Sequence, residues 1–156
     1  MEFVRPATTD DLASLCDMYR LCLAEEKGTR GAHMFSVRES LSEPFEPHFN
    51  FALEDDDSYV AIGGIDDVVL GFVLAHLETL RDGAKHVVIE AIFVEAEARA
   101  VGVGEMFMEE VMSWARPKGA KTFDAYALPG DRDTKNFFEM SGFSARLLVM
   151  HHQLED

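Results

Sequence analysis

The stretch His86-Val87-Val88-Ile89-Glu90-Ala91-Ile92-Phe93-Val94 restricts this chain more than any other. It is a long strand, apolar throughout except for Glu90, as expected of a central strand covered on both faces. Arg99-Ala100-Val101-Gly102-Val103-Gly104 follows, and a helix is expected from about Val101 to Arg116. Its polar stripe is narrow: Glu105, Glu109, Ser113 and Arg116. The remaining sides are apolar, so the helix must lie pressed between a sheet and other elements. Two glycines at a helix N-terminus let a ligand approach the backbone closely, and the free N–H groups and helix dipole there favour an anion. Two phosphate loops are excluded directly. The dinucleotide fingerprint needs a third glycine where Phe107 stands, and no Gly-Lys-Ser/Thr opens the helix.

The elements around this centre follow from spacing and punctuation. Glu2 to Pro6 reads as a short strand. Thr8 offers an N-cap, with Asp10 and Asp11 in the first turn, and Leu12, Leu15, Cys16, Tyr19 and Leu23 recur at helical spacing until Gly28 and Gly31. Between residues 32 and 56, Pro44 and Pro47 forbid one continuous helix, while Phe35, Phe45, Phe49 and Phe51 are too apolar for a free loop. A second short helix and a wrapped segment are expected there. Tyr59 to Ile65 and Val68 to Leu80 read as strands around Asp66-Asp67, and Asp82-Gly83 marks a tight turn before His86. Thr122 to Leu128 is a further strand, Arg132 to Ser141 a short helix stopped by Gly142, and Phe143 to Leu154 a last strand. Consecutive strands followed by alternation imply one domain over residues 1–156, an α/β (α+β) fold with helices on both faces of a mixed sheet.

Charge and cysteine content narrow the function classes. The formal net charge of −15 repels phosphate backbones and anionic lipid heads, so neither a nucleic-acid nor a membrane partner is expected. A cationic partner or substrate would be attracted. Cys16 and Cys22 stand six apart in one helix and do not share a face, which suits reduced thiols rather than a bridge. No stretch approaches 18 apolar residues and the N-terminus lacks the pattern of a signal peptide, so the expected location is cytoplasmic. No metal is expected. His151 and His152 are adjacent, so in a strand they point to opposite faces, and Asp55, Asp56 and Asp57 lack the later ligands of a calcium loop.

The segment Glu90 to Gly104 resembles the acyl-CoA-binding motif of the GNAT superfamily of N-acetyltransferases, whose members carry Arg/Gln-x-x-Gly-x-Gly/Ala after their fourth strand. Asn136-Phe137-Phe138-Glu139-Met140-Ser141-Gly142-Phe143 is similar to the family's Phe-Tyr-x-x-x-Gly-Phe segment. The element order fits over essentially the whole chain. The resemblance implies a mixed, mostly antiparallel sheet of six to seven strands with about four helices on both faces. It implies acetyl-CoA as co-substrate, its pantetheine arm paired with the backbone of Ile92, Phe93 and Val94 like an added strand. Amides of Ala100, Val101, Gly102, Val103 and Gly104 would hold the pyrophosphate, with Arg99 shaping the loop. The thioester would lie where the fourth and fifth strands splay apart. Asp131 stands where the family places a cofactor-contacting Asn, and an ionised carboxylate accepts but does not donate.

The activity implied is transfer of an acetyl group to a primary amine by direct attack in a ternary complex. The acceptor would be a small molecule or a protein lysine, and an acid-rich surface favours a cationic one. Attack needs a neutral amine and hence a base. Glu90 is the candidate: it matches a glutamate that several members carry, and burial in an apolar strand would raise its pKa. The family's thiolate-protonating Tyr is replaced by Phe138, which leaves Tyr126 or water to supply that proton. The same substitution suggests the competing reading, a catalytically silent acyl-CoA-binding or regulatory module. A homodimer through the C-terminal strand is common in the family and is a further expectation.

Overall fold

The computed structural model describes residues 1–156. Strand β1 (Glu2–Pro6) leads into a turn at Thr9–Asp11 and helix α1 (Leu12–Glu26). The entry to α1 is fixed twice. Thr8 and Asp11 form a reciprocal capping box, and the Asp11 carboxylate receives both guanidinium nitrogens of Arg5 at 2.8 and 2.9 Å. Two short helices follow, α2 (Ala32–Val37) and α3 (Glu46–Glu54), so the segment expected to hold one helix holds two. The amide of Leu41, between them, donates to the Tyr19 hydroxyl at 2.9 Å and ties the wrapped segment to α1.

Strands β2 (Ser58–Ile65), β3 (Val68–Thr79) and β4 (Lys85–Val94) form an antiparallel meander, with turns at Asp66 and Gly83 that both adopt positive φ. A turn over Ala96–Val101 precedes helix α4 (Val103–Ala115), then come β5 (Ala120–Ala125) and helix α5 (Arg132–Met140). The sheet order is β1-β2-β3-β4-β5, antiparallel except for the parallel pair β4 and β5. His86 joins that pair from within: Nδ1 lies 2.6 Å from the Thr122 hydroxyl and Nε2 3.1 Å from Asp124.

Two apolar layers cover the sheet. On one face α1 and α3 bring Leu15, Tyr19, Phe45 and Phe49 onto Val60, Ile62, Phe72, Leu74 and Phe93. On the other, α4 and α5 bring Phe107, Val111 and Phe138 onto Ala61, Val73, Val87 and Ile89. Phe49, Phe72 and Phe107 are fully buried, each worth about 1.5–3 kcal/mol of transfer free energy. Phe107 reaches the sheet because Gly63 and Gly71 have no side chain: a Cβ there would meet its ring at 3.0 and 3.3 Å.

The mixed α/β arrangement with helices on both faces is as the resemblance implied, with five strands rather than six or seven and five α-helices. The missing strand is Phe143 to Leu154, which forms no regular structure. Phe143 packs against Phe138 and Arg146 pairs with Asp124, but Leu147, Leu148, Val149 and Met150 are exposed. An apolar run becomes a strand only when a neighbour takes up its N–H and C=O groups, and within this chain none does.

Candidate active site

The site is built by two interruptions in the pairing of β4. The first is a bulge. Leu74 pairs with Ala91 and Ala75 with Ile89, so Glu90 has no residue opposite it on β3. The alternation of faces changes phase at this point: Val87 and Ile89 pack toward α4, whereas Ala91 and Phe93 pack toward α1 and α3. Such a bulge bends a strand and re-aims a side chain. The second is the loss of β5. The last parallel pair is Ile89 with Ala125, and β4 runs on to Val94 with no neighbour on that side. The main chain from Glu90 to Val94 therefore borders a cleft, and Tyr126 is the first residue past the last pair on the opposite bank.

Glu90 turns into a cavity of about 450 Å³ lined by Leu41, His48, Asp57, Leu74, His76 and Leu77, among others. The apolar strand pattern predicted burial, yet its side chain is 36% exposed and its Oε2 lies 3.4 Å from Nδ1 of His76. The bulge is the reason. It lifts Glu90 out of the packed alternation and onto the wet side of the cleft. A second cavity of about 330 Å³, bordered by Leu21, Glu25, Phe93 and Ala96, lies toward the other end of the same β4 segment.

Tyr126 is half exposed, edge-on to Phe35 of α2 at 6.1 Å. Partial burial, together with the nearby negative charges of Glu90 and Asp124, raises its hydroxyl pKa, so the phenol keeps its proton at neutral pH. Phe138 is buried between Phe137 and Phe143.

The strand-to-helix turn separates the two glycines by role. Gly102 has φ 87° and no side chain caps α4 above it, so the first amides of the helix stay unclaimed by any cap. At Gly104 the space expected for a ligand is taken by Phe137, whose ring would stand 2.9 Å from a Cβ. That glycine lets α5 dock on α4. Arg99 shapes the loop, donating to the Val94 carbonyl at 2.7 Å and pairing with Glu25. Asp131 caps α5, accepting from the Thr134 amide and hydroxyl at 3.0 and 2.6 Å. It also faces Glu26, whose Oε2 is buried without a donor. Burial, followed by the neighbouring Asp131 carboxylate, pushes the Glu26 carboxyl up to about 7.

The cleft fits a thioester of coenzyme A on three counts. An open strand segment at Ile92, Phe93 and Val94 can pair with an extended amide-bearing arm, an uncapped helix start can meet a diphosphate, and the cavity at Glu90 lies beside that segment. No group of three or more His, Cys, Asp or Glu is placed to hold a metal ion. No helix is long and apolar enough to cross a membrane.

Sequence reasoning missed His76, His48 and the Glu26–Asp131 pair. His76 stood in plain view as a titratable residue in the apolar β3, but only the register across the bulge shows that it meets Glu90.

The model of the acetyltransferase (GNAT) family matches residues 14–143. No curated protein matches the sequence. Among solved structures, a tetramutant of the BH1408 protein from Bacillus halodurans superposes with a TM-score of 0.79 at 17% identity, covering 97% of this chain and 99% of that one. A transcriptional regulator from Bacillus halodurans C-125 gives 0.73 at 18% identity, covering 97% and 100%. The aminoglycoside 6'-N-acetyltransferase AAC(6')-Ih from Acinetobacter baumannii gives 0.75 at 12% identity, covering 100% and 99%. At these identities the likeness establishes the fold.

Proposed function

The chain belongs to the acetyltransferase (GNAT) family, and from that premise we propose that it transfers the acetyl group of acetyl-CoA to a primary amine held in the cavity at Glu90. The single observation that supports this most is the position of Glu90, unmatched at the bulge where β4 parts from β5. When bound, acetyl-CoA supplies an acyl thioester. The backbone of Ile92, Phe93 and Val94 would align it, and the amides opening α4 at Gly102, Val103 and Gly104 would receive its diphosphate, with Ala100 and Val101 in the preceding turn. Arg99, already engaged with Val94 and Glu25, holds that turn in shape.

Glu90 takes a proton from the incoming ammonium and leaves a neutral nucleophile. Tyr126 holds a proton at Oη on the opposite bank for the departing thiolate, and the second proton that the amine nitrogen loses on acylation restores it. Direct attack is favoured over a covalent enzyme intermediate by the state of the two cysteines. Burial pushes the Cys16 thiol up to about 11 and the Cys22 thiol up to about 12, so neither offers a thiolate at neutral pH. The acceptor cavity contains Asp55, Asp57 and Glu90, which suits an amine arriving as a cation.

The test is release of free thiol from acetyl-CoA over a panel of diamines, amino sugars and lysine peptides. Turnover that depends on the amine supports the proposal. Saturable binding of acetyl-CoA without turnover on any amine supports the silent module instead.

A further inference from the structure

We propose that His76 is a positioning residue for Glu90: it holds the carboxylate toward the acceptor cavity and takes over the proton that Glu90 removes. The inference rests on the acetyl-transfer reading and deepens it.

The geometry comes from the same bulge. His76 pairs across the sheet with Ser58 on β2 and Val88 on β4, and the extra residue on β4 brings Glu90 alongside it. Both side chains line one cavity, and both remain about one-third exposed. His76 Nδ1 is 3.4 Å from Glu90 Oε2, while its Nε2 is 3.7 Å from Glu78 Oε2 at the outer end of β3. An imidazole can accept at one nitrogen and donate at the other, which no other side chain in the cavity does between two carboxylates. The remaining titratable groups of the cavity are His48 from α3, and Asp55 and Asp57 from the turn after it. Asp55 is already engaged, accepting from the Ser58 hydroxyl at 2.7 Å and the Asp57 amide at 3.2 Å.

The proton balance is simple. The acceptor ammonium loses one proton to the Glu90 carboxylate and becomes a neutral amine. The Glu90 carboxylic acid passes that proton to neutral His76, which becomes imidazolium, and Glu90 regains its charge for the next turnover. Nε2 faces Glu78 and solvent, where the proton leaves, and exchange of the ring protons with solvent returns His76 to the form with Nδ1 unprotonated, ready for the next turnover. The Glu90 carboxylate, 3.4 Å from the ring, is the main influence on His76 and, against partial burial, raises its pKa above the ordinary 6.5.

Two measurements test this. In the free enzyme, the His76 ring resonances followed by NMR should titrate above pH 6.5, and in Glu90→Gln the midpoint should fall. In turnover of any amine that the wild type acetylates, the acid limb of kcat/KM should track His76. In His76→Gln, which can still hold Glu90 but cannot take up a proton, that limb should move down toward the carboxylate range. The plateau should drop about tenfold, with KM for acetyl-CoA unchanged. An unmoved His76 midpoint in Glu90→Gln, or an unmoved acid limb in His76→Gln, overturns the inference while leaving acetyl transfer intact. Absence of turnover by the wild type on every amine overturns the acetyl-transfer reading and this role with it.

Discussion

At Glu90 the chain places an ionisable group in a strand whose neighbours from Val87 to Val94 are apolar, and the structure shows why the strand tolerates it. The residue is the extra one of a bulge, so its side chain leaves the packed layers for a cavity. The sequence showed the anomaly but not its environment, because a bulge is a relation between two strands and leaves no mark in either alone. The same limit hid His76. A carboxylate that accepts the acceptor's proton has a definite kinetic signature. Glu90→Gln keeps shape and hydrogen bonding but cannot ionise, so kcat/KM for the amine should fall roughly 100-fold or more while acetyl-CoA affinity stays near wild type. Steady-state kinetics with both substrates varied, beside calorimetric titration of the cofactor, separates the two effects.

Among the elements, the junction of α1, the 96–101 turn and α5 holds charge at the edge of the cleft. Glu26 at the end of α1 meets Asp131 at the start of α5, and Arg99 sits close to both. The helix boundaries here were legible: Gly28 and Gly142 mark ends, and Gly102 with its positive φ marks a beginning. The pair was not, because it joins residues over 100 positions apart. Its linkage to stability has a definite sign. The Glu26 carboxyl is raised from an ordinary 4.5 to about 7, so between those values the unfolded chain gives up a proton that the folded chain keeps. Stability from this group therefore falls as pH rises through that window. Asp131 runs the other way. Burial works to raise it, but the hydrogen bonds from Thr134 and the neighbouring Glu26 carboxyl prevail and hold it below its ordinary value, so its contribution is lost only at acid pH. In Glu26→Gln the side chain does not titrate, which removes this pH dependence. The decline in Tm from pH 5 to pH 8 should be smaller in the variant than in the wild type, as scanning calorimetry would show.

For the molecule as a whole, the sheet and both apolar layers were foreseen from strand and helix periodicity, and the strand expected at the C-terminus was not found. Residues 143–154 carry the apolar run Leu147-Leu148-Val149-Met150 expected of a strand, but a run names a preference and a ladder needs a partner. Leu147, Leu148, Val149 and Met150 consequently lie in water, immediately after the Arg146 that pairs with Asp124 on β5, an edge strand of the sheet. An apolar run at an open edge favours association. Sedimentation equilibrium should give twice the chain mass for residues 1–156 and the single mass after removal of residues 147–156; a monomer in both cases would mean that the run stays solvated. Calorimetric titration of acetyl-CoA into the wild type and Gly102→Val decides whether the cofactor lies along β4 with its diphosphate at the start of α4. Valine at φ 87° strains the turn by about 1–2 kcal/mol and crowds the amides there. One saturable site is expected in the wild type, and an affinity at least about tenfold weaker in a variant that still folds. No heat with the wild type, or equal affinity in the two proteins, would contradict that placement.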